Sequence, residues 1–193
     1  SKNSLSIAEN RVFRSKAVEK ANIIFKHMSL FDLPKLEQFD YINSIGMINH
    51  IKNPLKGFIT FEKLLKPGGI IHLSVYADIG RYRIKLIREI FKSLGLGSSP
   101  EDISLAKKII MGLPEKNHLK NLINEHEIIF DDSKFADMYL NPMEISFNLD
   151  RLFEFIDKSN LIFLGFFNKK NWTMERYFKG EILNKINSLP ERK

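Results

Sequence analysis

Apolar positions along this chain switch between a period near two and a period near 3.6, and that switching predicts the elements. Ser6-x-x-Glu9 has the form of a capping box and opens a helical stretch to about Lys20, with Ala8 and Val12 at helical spacing. Ile23-Ile24-Phe25 predicts a short buried strand ending near His27. Phe39 to Ile45 predicts the next strand, closed by Gly46. Asn53-Pro54 supplies an N-cap and a first-turn proline, and Leu55, Phe58, Ile59, Glu62 and Leu65 follow at 3–4 spacing. Lys66-Pro67-Gly68-Gly69 stops that helix, and Ile70 to Tyr76 reads as a strand. Strand, crossover helix and strand make a parallel βαβ unit.

Downstream the period is mostly helical. Ile79 to Leu94 has Leu86, Ile87, Ile90, Phe91 and Leu94 as its predicted core stripe, with Arg81, Lys85, Arg88 and Lys92 opposite. That basic face reads either as a solvated face, with Lys85 and Glu89 as an i,i+4 pair, or as a surface for an acidic partner. Ser99-Pro100-Glu101-Asp102 opens a helix to about Met111, and Asn117 to Glu125 is helical as well. Asp131-Asp132 and Asn141-Pro142 give residues 126–148 the chemistry of loops. Leu149 to Lys158 predicts a helix with Leu152, Phe153 and Ile156 inward. Leu161 to Phe167 predicts a strand, and Thr173 a last helix with Met174, Tyr177, Phe178, Ile182 and Ile186 on one face. The alternation predicts an α/β architecture in a single domain, residues 1–193, with residues 97–148 as a helical insertion.

Ligands of open α/β sheets bind outside the carboxyl ends of the strands, which here carry three groups of residues. They are His27 to Leu30, Asn43 to His50, and Tyr76 to Asp78. Around Gly46 the second end offers a hydroxyl (Ser44), an amide (Asn49) and an imidazole (His50). The turn also reads simply as a strand end followed by a polar helix start. Composition narrows the chemistry. The 193 residues contain no cysteine, which excludes disulfides and thiolate chemistry. The five histidines form no H-x-x-x-H pattern, so no metal site is expected. The net charge is +7, carried by 22 Lys and only 8 Arg spread along the chain. Arginine is the usual reader of bases and phosphates, so specific nucleic-acid binding is not expected. No apolar run approaches the roughly 20 residues of a membrane span. No signal peptide is visible, and the expected location is cytoplasmic.

Phe39-Asp40-Tyr41-Ile42-Asn43-Ser44-Ile45-Gly46-Met47-Ile48-Asn49-His50 resembles the fourth motif of class I S-adenosylmethionine-dependent methyltransferases. Leu64-Leu65-Lys66-Pro67-Gly68-Gly69-Ile70-Ile71 resembles the turn before their fifth strand, at a matching distance. The 97–148 insertion is similar to that of bacterial methyltransferases associated with tetratricopeptide repeats. The resemblance implies a Rossmann-like three-layer fold with strand order 3-2-1-4-5-7-6. Ile23 to Lys26 would be strand 3, Phe39 to Ser44 strand 4, Ile70 to Tyr76 strand 5 and Leu161 to Phe167 strand 6. It implies S-adenosylmethionine as cofactor. Met28, Ser29 and Leu30 would lie on the adenine side, Ser44, Ile45 and Gly46 would pass the methionine moiety, and Asn49 would face the pocket. His50 and Tyr76 would be the polar groups nearest the methyl acceptor.

The family's glycine-rich loop and the acidic residue that ends its second strand have no counterpart in this sequence, so the implied sheet is incomplete, without strands 1 and 2. Methyl transfer would then belong to a parent protein. The alternative is a truncated, non-catalytic scaffold that acts only through self-association, at the exposed edge of strand 4, or through binding a partner.

Overall fold

The predicted βαβ unit is present. The computed structural model describes residues 2–15, 21–33, 38–125 and 128–189. In it β1 (Phe39–Ile45) and β2 (Leu65–Ser74) pair in parallel across helix α2 (Pro54–Leu64). Tyr41 stands opposite Ile70, Asn43 opposite His72 and Ser44 opposite Leu73. The register jumps between Phe39, which faces Leu65, and Tyr41, so residues 66–69 bulge out of the ladder. Lys66-Pro67-Gly68-Gly69 is thus more than a helix stop. Gly68 has φ +79°, and a Cβ on Gly69 would stand 2.9 Å from the Lys66 carbonyl oxygen and 3.0 Å from that of Phe39. The missing side chain lets β2 close onto β1.

Asn53 caps α2 as predicted, its Oδ1 accepting from Lys56 N at 3.1 Å. The buried side of α2 is Phe58, Phe61 and Leu64, rotated from the predicted stripe that ran through Glu62 and Leu65. The rotation follows from what covers the helix. Phe58 meets Phe147 and Phe155 at centroid distances of 6.4 and 5.8 Å, and Phe155 belongs to a helix further along the chain. Each such buried ring stabilises the fold by roughly 2–3 kcal/mol.

Among the described residues up to Asn160 the remaining elements are helices. α1 (Lys2–Arg14) starts earlier than predicted, so Ser6 and Glu9 lie inside it and form no cap; residues 16–20 of the predicted helix lie outside the described residues. α3 (Asp78–Ser93), α4 (Pro100–Met111) and α5 (His118–Glu125) follow, then α6 (Asp132–Phe135), which runs into a π-helical turn over Ala136–Leu140, and α7 (Leu149–Lys158). One apolar core joins Ile84, Ile87 and Phe91 of α3 to Ile103, Ala106 and Ile110 of α4 and to Phe135 and Tyr139. The α3 stripe differs from expectation: Leu86, Ile90 and Leu94 are exposed, and Ile84 is buried in their place.

Two predicted strands are absent. Ile23 to Lys26 has no strand pairing, and Ile24 is exposed. Leu161 to Phe167 has none either, and Ile162, Leu164 and Phe167 are exposed. A period-two pattern makes a strand only where a neighbouring strand takes up its hydrogen bonds, and among the described residues β1 and β2 pair only with each other. Gly165 at φ +138° also breaks the extended run.

Residues 161–193 form a second compact unit. Within it Phe166 stacks on Trp172 at 4.2 Å, and the Trp172 indole donates to the Phe167 carbonyl at 3.2 Å. The predicted last helix is split into a 3-10 turn over Met174–Arg176 and helix α8 (Gly180–Asn187), because Gly180 takes φ +61°.

Candidate functional site

The carboxyl ends of β1 and β2 lie side by side, so the two groups of residues picked out there share one end of the sheet. Ser44 is buried in β1, and Gly46 N donates to the Ser74 carbonyl of β2 at 3.0 Å. Gly46 then turns the chain at φ +69°, a conformation that disfavours any residue with a Cβ. The turn leads into a 3-10 segment, Ile48–His50, with Ile48 and Asn49 fully buried. Beyond β2, Tyr76 brings its phenol back toward Gly46: a Cβ there would stand 3.5 Å from the hydroxyl. The His50 and Tyr76 rings meet edge to face at 5.9 Å.

A segment with no predicted element closes this end of the sheet. Residues 143–147 run across both strand ends as an extended strap. Asn49 and Ile145 exchange two hydrogen bonds, Ile145 N donating to the Asn49 carbonyl at 2.7 Å and Asn49 Nδ2 to the Ile145 carbonyl at 2.6 Å. Phe147 N donates to the Tyr76 carbonyl at 2.8 Å, and Asp78 N to the Phe147 carbonyl at 2.9 Å. His50 Nδ1 lies 2.9 Å from the Met143 carbonyl.

Charge is concentrated where the strap meets α3. The Glu144 side chain is 2% exposed and receives a two-pronged bond from Arg81, with Arg81 Nε at 2.9 Å from Oε1. Arg88 lies 3.7 Å from the same carboxylate and donates to the carbonyls of Met138 and Asn141 at 3.1 and 2.5 Å. The Arg81 guanidinium also covers the Tyr76 ring at 4.1 Å. The face of α3 expected to be solvated is therefore partly the buried ion-pairing face, and Lys85 bonds Asp78 at 2.6 Å instead of Glu89. Lys85, and then the Ser146 hydroxyl, hold the Asp78 carboxyl below the usual carboxylate range.

Two buried polar atoms at this end have no hydrogen-bond partner among the described residues: Ser44 Oγ and Asn49 Oδ1. A buried acceptor left unpaired costs roughly 1–3 kcal/mol, so each is a place where a donor from a ligand or a water would be stabilising.

Met28 and Ser29 lead into a 3-10 turn that begins at Leu30. Ser29 caps a 3-10 turn over Leu30–Asp32, its Oγ accepting from Phe31 N at 3.2 Å. Lys56 of α2 covers the Phe31 ring at 4.6 Å. Among the described residues no hydrogen bond joins this turn to Ser44, Ile45, Gly46, Asn49 or His50. Ile45 is 63% exposed and points away from Ser44, as alternation along a strand requires. No cluster of three metal-ligating side chains occurs among the described residues, and His126 lies outside them.

Glu144 and the strap carry no role predicted from the sequence, and Arg81 enters there only as part of a basic helix face. One signal for them exists: Met143-Glu144-Ile145-Ser146-Phe147 alternates strictly between apolar and polar, the period of an extended segment.

Known proteins resemble this chain in sequence and in fold. The pattern of a methyltransferase domain matches residues 5–135, more than half of the chain. An uncharacterized protein from Synechococcus sp. is 34% identical over 180 residues, which cover 90% of this chain and 43% of that protein. The structure of PKMT2 from Rickettsia typhi superposes with a TM-score of 0.56 at 21% identity, covering 97% of this chain and 40% of that one. PKMT2 in complex with AdoHcy gives a TM-score of 0.62 at 23% identity, covering 97% and 36%. The chain thus spans about two fifths of the length of these relatives.

Proposed function

The chain belongs to the methyltransferase-domain family matched by its residues 5–135, and from that premise we propose that the protein it belongs to transfers a methyl group from S-adenosylmethionine to an acceptor. The carrying observation is the pair of adjacent parallel strand ends, where Gly46 turns at φ +69° beside two buried polar atoms without protein partners. Those atoms fit the donors of an amino-acid end: a hydroxyl and an amide oxygen can both accept from an ammonium. The relative solved with AdoHcy supports the same cofactor class. In this reading β1 and β2 are strands 4 and 5 of a larger Rossmann-like sheet, and the helices of residues 97–148 are an insertion into it.

S-adenosylmethionine, when bound, supplies an electrophilic methyl group on a sulfonium. The residues of this chain hold and orient. Ser44, Gly46 and Asn49 take the methionine moiety, and Met28 to Leu30 take the adenine side. His50 and Tyr76 face the acceptor, where such transfers gain mostly from proximity and alignment. His50 accepts a proton when the acceptor carries one.

Calorimetric titration of AdoHcy tests this reading. Micromolar binding is expected, weakened at least ten-fold, or about 1.4 kcal/mol, by Asn49→Leu. Absence of heat at millimolar AdoHcy, in this chain and in any longer chain that contains it, overturns it. A second reading, a scaffold that associates with its own copies, is favoured by the outer edge of β1, which has no neighbouring strand among the described residues.

A further inference from the structure

We propose that Glu144 is a positioning residue that fixes the imidazole of His50 in a single tautomer, with the proton on Nδ1 and the lone pair on Nε2. That His50 uses this lone pair on an acceptor rests on the methyl-transfer reading; the tautomer itself does not.

His50 Nδ1 has two polar neighbours, the Met143 carbonyl at 2.9 Å and Asn141 Nδ2 at 3.4 Å. They demand opposite protonation, since a carbonyl only accepts and an amide nitrogen only donates. Distance decides between them: 2.9 Å is the usual N–H···O separation, and 3.4 Å lies beyond it. The Asn141 amide also lies 3.3 Å from Asp137 Oδ1, an acceptor no farther away than the ring nitrogen. Nδ1 therefore carries the hydrogen, and Nε2 is left as an acceptor. A free imidazole in water favours the other tautomer, so the protein must hold the Met143 carbonyl in place.

Glu144 does the holding. It follows Met143 directly, and its carboxylate sits between two guanidinium groups of α3. Arg88 also grips the Asn141 carbonyl, two residues before Met143. Arg81 grips Glu144 on one side and the Tyr76 ring on the other, and that ring packs against His50. Glu144, Arg81, Tyr76, His50 and Met143 thus form a closed circuit around the imidazole. Ile145 and Asn49 clamp the strap one residue beyond Glu144.

The experiment is a nitrogen–proton correlation spectrum of the histidine rings of the full chain in alkaline buffer, with His50 assigned from the signal lost in His50→Gln. The wild-type chain is expected to give His50 as the Nδ1–H form. Glu144→Ala is expected to convert it to a majority of Nε2–H, and Glu144→Asp to return part of the signal. Should Glu144→Ala not fold, Glu144→Gln, which keeps the volume and removes the charge, is read by the same criterion. A wild-type His50 with its proton on Nε2 overturns the proposal, and so does a folded Glu144 variant that keeps Nδ1–H. Titration with AdoHcy separates the two readings. Without binding, an Nδ1–H form lost on changing Glu144 still supports the positioning role, and only the methyl-transfer reading falls. Binding together with a wild-type Nε2–H form sinks the positioning role alone.

Discussion

Tyr139 is 1% exposed in the helical core, packed against Phe135 at 5.1 Å, and its hydroxyl has no hydrogen-bond partner among the described residues. Burial pushes its phenol up to about 12, against a partial opposing pull from Arg81 and Arg83. Because the folded value is raised, the stability this group lends is complete below the unfolded phenol value of about 10. It is lost as pH climbs from there toward 12. Tyr139→Phe removes both the unpaired hydroxyl and the titration. The variant is expected to be more stable than wild type at neutral pH by about 1 kcal/mol and to lose less stability between pH 10 and about 12, read by urea unfolding across that range. A Tyr139→Phe chain less stable than wild type would mean that the hydroxyl has a partner.

At the scale of elements, the bulge of residues 66–69 governs whether the sheet forms. Both atoms that a Cβ on Gly69 would meet, at 2.9 and 3.0 Å, are backbone oxygens, which cannot rotate aside. Gly69→Ala is therefore expected to cost about 1–3 kcal/mol, whereas Gly68→Asn, at φ +79° with nothing within 4 Å, is expected to cost less. Chemical denaturation of the two variants checks the order. The contrast explains what could be read beforehand. Asn53 and Ser99 signal helix starts through local hydrogen bonds, and both caps form, while Pro54 favours the first helical position through its fixed φ. The two parallel strands were legible from Phe39 to Ile45, which Gly46 closes, and from the apolar, β-rich run that starts at Ile70, although β2 itself begins at Leu65, ahead of the breakers. The stripe of α3 was not, because its apolar residues cover more than half of the circumference. Which of them are buried depends on a partner, the 135–140 turn, that carries no recognisable pattern. Arg81 and Arg88 looked solvated because nothing local announces Glu144, 63 residues away from Arg81. Ile23 to Lys26 and Leu161 to Phe167 had the right composition for strands, but pairing is set by neighbours and not by composition.

For the whole molecule, the decisive feature is one face of the sheet. Tyr41, Ile45 and Ile70 are 57%, 63% and 50% exposed, and alternation together with register puts all three on the same side. The β1 edge beside them has no neighbouring strand among the described residues. Exposed apolar side chains next to an open edge are the geometry through which chains add to one another. The net charge of +7 opposes such contact between copies, and salt screens that repulsion, since the Debye length falls from about 10 Å at 0.1 M to about 3 Å at 1 M. The isolated chain is therefore expected to self-associate with rising concentration, and more strongly at high salt, in sedimentation velocity. Ile45→Lys places a like charge on the contact face without touching Ser44 or the strap, and is expected to raise the dissociation constant at least ten-fold. If association weakened as salt rose, charge pairing rather than the apolar face would be responsible. A chain that stays monomeric at every concentration and salt level removes self-association from the scaffold reading, because its open edge then recruits no second copy, and leaves that reading only a different partner.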